Sequence, residues 1–192
     1  AGATGSGKTN LLAVLMQQFR VLSSESQYPV NFLQFDYKGE FSDIQNNHWL
    51  SHFDVDRSCI LDPIEHPLPF TPFKDFTGRS INEINLYSSE MASALCSIDR
   101  MSLSANMSNR LSEAIVEAYK KTDGSPITFK MMLEEYQAKM TDAGKDDSIT
   151  SILKQLVRAN IFEEEDKADL IGDCYIIKMD GYPKDGPIAK AI

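Results

Sequence analysis

Long apolar runs are missing from this sequence. None approaches the roughly 18 residues that a membrane-spanning helix needs, and the N-terminal stretch lacks the basic and apolar regions of a secretory signal. No membrane association is expected, and the expected location is the cytoplasm. Metal and disulfide signatures are missing as well. Cys59, Cys96 and Cys174 lie far apart with no CxxC spacing, and His48, His52 and His66 fall in no H-E-x-x-H pattern. Reduced core thiols are expected, with no metal held by protein side chains alone, and Trp49 between the first two histidines points to packing. Basic charge is also in short supply. A net charge of -9 excludes a chain whose whole surface is built to bind nucleic acid. What is present, 42% apolar and 24% charged residues in a chain of 192, is the composition of a globular domain with a substantial core.

The order of elements is α/β at first and helical afterwards. Leu11, Leu12, Leu15, Phe19 and Leu22 recur at helical spacing, which predicts a helix from about Thr9 to Leu22. Val30 to Phe35 is rich in β-branched and aromatic residues and ends at Asp36, the pattern of a strand. A second apolar run, Cys59 to Leu61, ends in Asp62. Pro63, Pro67, Pro69 and Pro72 then exclude a regular ladder, because proline lacks an amide hydrogen and fixes φ. Ser80 and Glu83 have the capping-box spacing and open a helix that continues to Leu95 and Ile98. Further helices are expected over about Ser104 to Lys121, Phe129 to Met140 and Ser148 to Ala159, and a strand over Cys174 to Met179. The expected organisation is residues 1–78 as the first part of an α/β core, 79–170 as a helical insertion, and 171–192 as a return to the core.

The chemistry lies at the front. Gly2-Ala3-Thr4-Gly5-Ser6-Gly7-Lys8-Thr9 matches G-x-x-x-x-G-K-[ST] in full, and a periodic helix beginning with Thr9 and Asn10 follows at once. Glycines let the chain curl so that successive amides aim at phosphate oxygens, with the positive end of the helix dipole behind them. Residues 2–10 are the expected nucleotide-binding set. Lys8 reaches the β and γ phosphates of ATP, and the Thr9 hydroxyl completes the Mg²⁺ shell. A second group, Asp36-Tyr37-Lys38-Gly39-Glu40, follows the strand end, which in open α/β sheets faces the ligand crevice. Asp36 and Glu40 are candidates to sense the γ phosphate or orient water, and a plain polar turn is the competing reading.

The pairing of GATGSGKT with a strand ending in Asp-x-Lys-Gly-Glu resembles the HerA/FtsK superfamily of DNA-translocating ATPases. More narrowly it resembles the DptH-type HerA-like ATPases of phosphorothioate-linked restriction systems. The resemblance implies a P-loop fold with a RecA-like sheet and a helical insertion, ATP and Mg²⁺ as cofactors, duplex DNA as partner, and a homo-oligomeric ring of six. Partner nuclease or defence-complex subunits are implied with it. A P-loop follows a buried strand, and no apolar run here ends in the Asp-Glu of a Walker B strand. The sheet is therefore expected to be incomplete in this chain, with Asp180 as a fallback carboxylate. A nucleotide-gated assembly switch and a motor for protein substrates are the rival functions.

Other signals have ordinary readings beside the functional ones. Arg100, Arg110 and Arg158 are candidates for an arginine finger, or solvated helix charges. Phe70, Phe73 and Phe76 beside Lys74 and Arg79 could stack on bases, but aromatics in such a loop more often pack onto their own domain or a neighbouring subunit. Glu163 to Asp166 reads as a solvated loop.

Overall fold

The computed structural model describes residues 7–43, 59–98, 104–140, 146–168 and 173–192. Among them the architecture is mixed α/β, with six helices and one three-stranded parallel sheet. Contacts gather the chain into two units, residues 1–66 with 168–181, and residues 67–167 with 182–192.

The first unit holds helix α1, Lys8–Ser23, and strands β1, Leu33–Asp36, β2, Ile60–Leu61, and β3, Tyr175–Lys178. The strand order is β1-β3-β2, all parallel, with Asp36 opposite Lys178 and Leu61 opposite Ile177. Every strand therefore ends at the same edge. The core of this unit is small: Ala13 of α1, Phe41, Cys174 and Ile176 are buried together, with Met16, Phe32, Cys59 and Ile60 packed against them. The apolar positions that mark α1 in the sequence point elsewhere. Leu11, Leu12, Leu15, Phe19 and Leu22 are all exposed, and burial falls on Ala13 alone.

The second unit is helical: α2, Ile81–Ile98; α3, Ala105–Lys121; α4, Phe129–Ala138; α5, Ser148–Ala159; and the short α6, Pro187–Ala191. Four of these starts carry side-chain caps, as expected for helices that must satisfy their first amides. The Ser80 amide donates to Glu83 Oε2 at 3.0 Å and the Glu83 amide to Ser80 Oγ at 3.4 Å, the reciprocal capping box. Ser104, Thr128 and Asp147 cap α3, α4 and α5. Leu111, Ile115, Tyr119, Met132, Tyr136, Ile149, Leu153 and Leu156 form the buried centre.

From Pro67 onward the proline-rich segment belongs to this helical unit. Leu68, Phe73 and Phe76 are buried in it, and the Tyr87 and Tyr119 hydroxyls donate to the Pro72 and Lys74 carbonyls. Phe73 meets Phe129 edge-on at 4.9 Å, Phe76 meets Tyr119 at 5.2 Å, and Phe70 lies 5.6 Å from Phe162. The rings pack on their own unit, and no base-stacking platform forms from them. As expected, the segment builds no ladder, only a single bridge between Leu68 and Phe162. Glu163 to Asp166 runs beside it, with the Asp166 carboxylate accepting from the Thr71 amide at 2.8 Å. Residues 182–192 also group with the helices, where the sequence pattern sends them back to the sheet.

Candidate functional site

Two features of the first unit stand out, the start of α1 and the loop that leaves β1. At the first, Gly7 takes the left-handed conformation at φ 75° immediately before Lys8, a turn that glycine makes without steric cost. Among the described residues no side chain caps this helix, and no acidic residue lies in its first turn, which carries Lys8, Thr9 and Asn10. A helix of 16 residues thus presents its positive end with a lysine and a hydroxyl beside it. That donor set fits an anion with several oxygens. Gly2, Ala3, Thr4, Gly5 and Ser6 lie outside the described residues.

At the second feature, Asp36 ends β1 and is 3% exposed, so its carboxylate needs partners within the fold. It finds them in the loop that follows. Its Oδ2 accepts from the Phe41 amide at 2.9 Å, the Ser42 amide at 2.8 Å and the Ser42 hydroxyl at 2.9 Å. Its Oδ1 accepts from the Lys38 amide at 3.3 Å. Gly39 turns the loop with φ 70°, and a Cβ there would lie 3.2 Å from Asp180 Oδ2. Lys38 and Glu40 are left on the outside, their charged ends 3.7 Å apart. Both are well exposed, so the pair contributes only about 0 to 1 kcal/mol. Phe41, buried against the Ala13 cluster, fastens the same loop beneath α1.

The neighbouring strand ends are also joined. Lys178 Nζ stands 3.0 Å from Asp62 Oδ2. The hydrogen bond to Asp62 and that carboxylate's attraction hold the Lys178 ammonium above the usual lysine range, with smaller contributions from Asp180 and Glu65. Sequence pattern does not reveal the pair or the role of Ser42; its one signal is that Asp62 and Lys178 each follow a short apolar run.

The model of one protein family, described as the central domain of helicase HerA, matches residues 1–185. The chain belongs to that family. No curated protein and no solved structure matches it at a significant level. Within this HerA-family domain the remaining sequence candidates fall into place separately. Arg110 lies 3.8 Å from Asp147 and 5.8 Å from the Tyr136 ring centroid, inside a network of the helical unit. Arg158 and His66 are exposed, while Arg100, His48, Trp49 and His52 lie outside the described residues. No group of histidine, cysteine or acidic residues that could hold a metal is found among the described residues. Cys59, Cys96 and Cys174 are free thiols, and burial raises the pKa of the latter two. No helix among the described residues is long and apolar enough to cross a membrane.

Proposed function

We propose that this HerA-family domain is a P-loop ATPase that binds ATP with Mg²⁺ at residues 2–10 and couples hydrolysis to movement along, or remodelling of, duplex DNA. The observation that carries the reading is the start of α1. The other long helices spend side chains on their first amides, and this one offers Gly7, Lys8 and Thr9 with no acid in its first turn and no side-chain cap among the described residues. Such a terminus suits a polyphosphate, because amide donors, the helix dipole and a lysine ammonium all favour negative charge at one place. Lys8 and the loop amides would stabilise charge that develops in phosphoryl transfer, and the Thr9 hydroxyl would serve the metal. Glu40, exposed on the loop that leaves β1, is the carboxylate assigned to orient water.

A ring oligomer, six-membered by family resemblance, would place DNA against loops facing a central pore, away from the acidic outer surface of a chain whose net charge is -9. The narrower resemblance assigns the motor to a restriction or defence system with nuclease partners. The test is Lys8→Ala in the intact protein. ATP affinity is expected to fall about tenfold or more, the worth of a charge-assisted contact of about 1.5 to 3 kcal/mol, and turnover to be lost. Unchanged affinity and rate would remove Lys8 from the site. For the DNA half, duplex DNA should raise turnover and bind with an affinity that drops steeply with salt. Turnover indifferent to duplex would leave an ATPase of another kind.

A further inference from the structure

Asp36 ends a strand at the edge where ligands bind in open parallel sheets, a position that invites a direct role toward phosphate or metal. Its surroundings assign it a different one. A carboxylate has about four lone-pair sites. Three hydrogen bonds, from the Phe41 and Ser42 amides and the Ser42 hydroxyl, converge on Oδ2 at 2.8 to 2.9 Å, and the Lys38 amide holds Oδ1 at 3.3 Å. With the residue 3% exposed, contact with a nucleotide would require breaking that shell inside the fold.

We infer that Asp36 is a positioning residue, whose carboxylate folds residues 37–42 into a preformed loop that holds Glu40 at the site. The inference rests on the ATPase reading for what Glu40 does, and on geometry alone for what Asp36 does. The loop is held on both sides. Asp36 binds its amides from the strand end, and Asp180 lies against Gly39 so closely that a Cβ would come 3.2 Å from Oδ2. Phe41, 4% exposed, anchors the loop between the two holds. Glu40 sits between Gly39, which can take φ 70°, and Phe41, which cannot leave the core. Its backbone is fixed before any ligand arrives, which is the property a water-orienting carboxylate needs.

The charge on Asp36 matters because it draws amide hydrogens from three residues to one point. Asparagine keeps the shape but offers one oxygen and turns an NH₂ group toward amides that are themselves donors.

The experiment compares wild type, Asp36→Asn, Ser42→Ala, Glu40→Gln and the Asp36→Asn/Glu40→Gln double variant of the intact protein. In nucleotide-free protein, Asp36→Asn is expected to speed amide exchange at Phe41 and Ser42 by about tenfold or more, with α5 unchanged. Ser42→Ala, which loses one hydroxyl bond, should show a smaller effect in the same amides and guards against a fold-wide failure of the first variant. In turnover, Asp36→Asn should lower kcat by about tenfold to a hundredfold with KM for ATP within about twofold. In the Glu40→Gln background it should have no further effect, since a residue that acts through Glu40 has nothing left to position. Independent, multiplying losses, or loss of ATP binding with kcat kept, would overturn the assignment, as would unchanged exchange at Phe41 and Ser42. If wild type neither binds nor hydrolyses ATP, the ATPase reading fails on its own, and the exchange result still decides the role of Asp36 in the loop.

Discussion

Lys178 and Asp62, the residues that close β3 and follow β2, are joined side chain to side chain at 3.0 Å across the edge where all three strands end. Asp62 does more than accept this ammonium. Its Oδ1 takes the Ile64 amide at 3.0 Å, and its carbonyl takes the Glu65 and His66 amides, so it also starts the turn by which the chain leaves the sheet. Beside that turn, a Cβ on Gly181 would come 2.3 Å from Ile64 Cδ1, so the missing side chain is what lets the two departing segments lie this close.

Lys178→Met keeps the aliphatic stem and removes the charge. Lys178 is 39% exposed and Asp62 17%, so screening by water limits the loss to about 1 kcal/mol, the upper end for a partly solvated pair. Because folding raises the Lys178 pKa, its contribution is complete below the ordinary lysine value and fades as pH rises through the folded one. Urea denaturation of both proteins should therefore show a gap at neutral pH that narrows under alkaline conditions. A gap that widens there would contradict the pairing.

Asp147 serves three helices at once. Its Oδ1 caps α5 through the Thr150 amide and hydroxyl, each at 2.9 Å, and its Oδ2 accepts the Tyr136 hydroxyl of α4 at 2.6 Å, with Arg110 of α3 nearby. Burial alone would raise its pKa, but the bonds from Thr150 and Tyr136 and the charge of Arg110 together bring it below the usual aspartate value. The sign follows: the stabilisation is present above the unfolded pKa and is lost as pH falls through the folded one. Asp147→Ala is expected to cost about 2 kcal/mol near neutrality, from a lost cap and an unanswered hydroxyl. The difference from wild type should shrink on acidification. Equal denaturation midpoints at neutral pH would show that the cap is idle.

Helix limits are readable in this sequence because caps and periodicity are local. Ser80 with Glu83, Ser104 before Ala105, and the stripe Ile149, Ile152, Leu153, Leu156 mark their helices within a residue or so of where they lie. Strand existence is readable for the same reason, since Asp36 and Asp62 close short apolar runs. Strand order is not, because β1 pairs with a segment far along the chain and nothing near Leu33 names Tyr175 as its partner. Helix α6 escapes detection because five residues, Pro187 included, are too few to show a period. The carboxylate of Asp36 is the instructive case. Its place at a strand end is visible in sequence, but the direction it points depends on Ser42, six residues later, whose amide and hydroxyl it binds. The leucines of α1 mislead in the opposite way. Their period identifies the helix, yet period alone does not say that a partner covers the face.

Gly124 provides the strictest steric test. It follows α3 with φ 88°, its amide donates to the Tyr119 carbonyl at 2.9 Å, and its carbonyl accepts the Phe76 amide at 2.7 Å. A Cβ there would stand 2.6 Å from the Phe76 carbonyl oxygen, 2.8 Å from its carbon and 2.9 Å from the Thr77 nitrogen, all backbone atoms that cannot swing aside. Gly78 has a similar φ of 72° but open space around the same position. Gly78→Ala therefore isolates the conformational cost, about 1 to 2 kcal/mol for an L-residue in the left-handed region. Gly124→Ala adds displacement of the Phe76 backbone, which packs the proline-rich segment against Tyr87 and Tyr119, for a total of about 2 to 4 kcal/mol. Thermal or urea unfolding of the two variants should place Gly124→Ala clearly below Gly78→Ala. Equal losses would mean that Phe76 yields without cost, and that the segment is held less firmly than its buried rings imply.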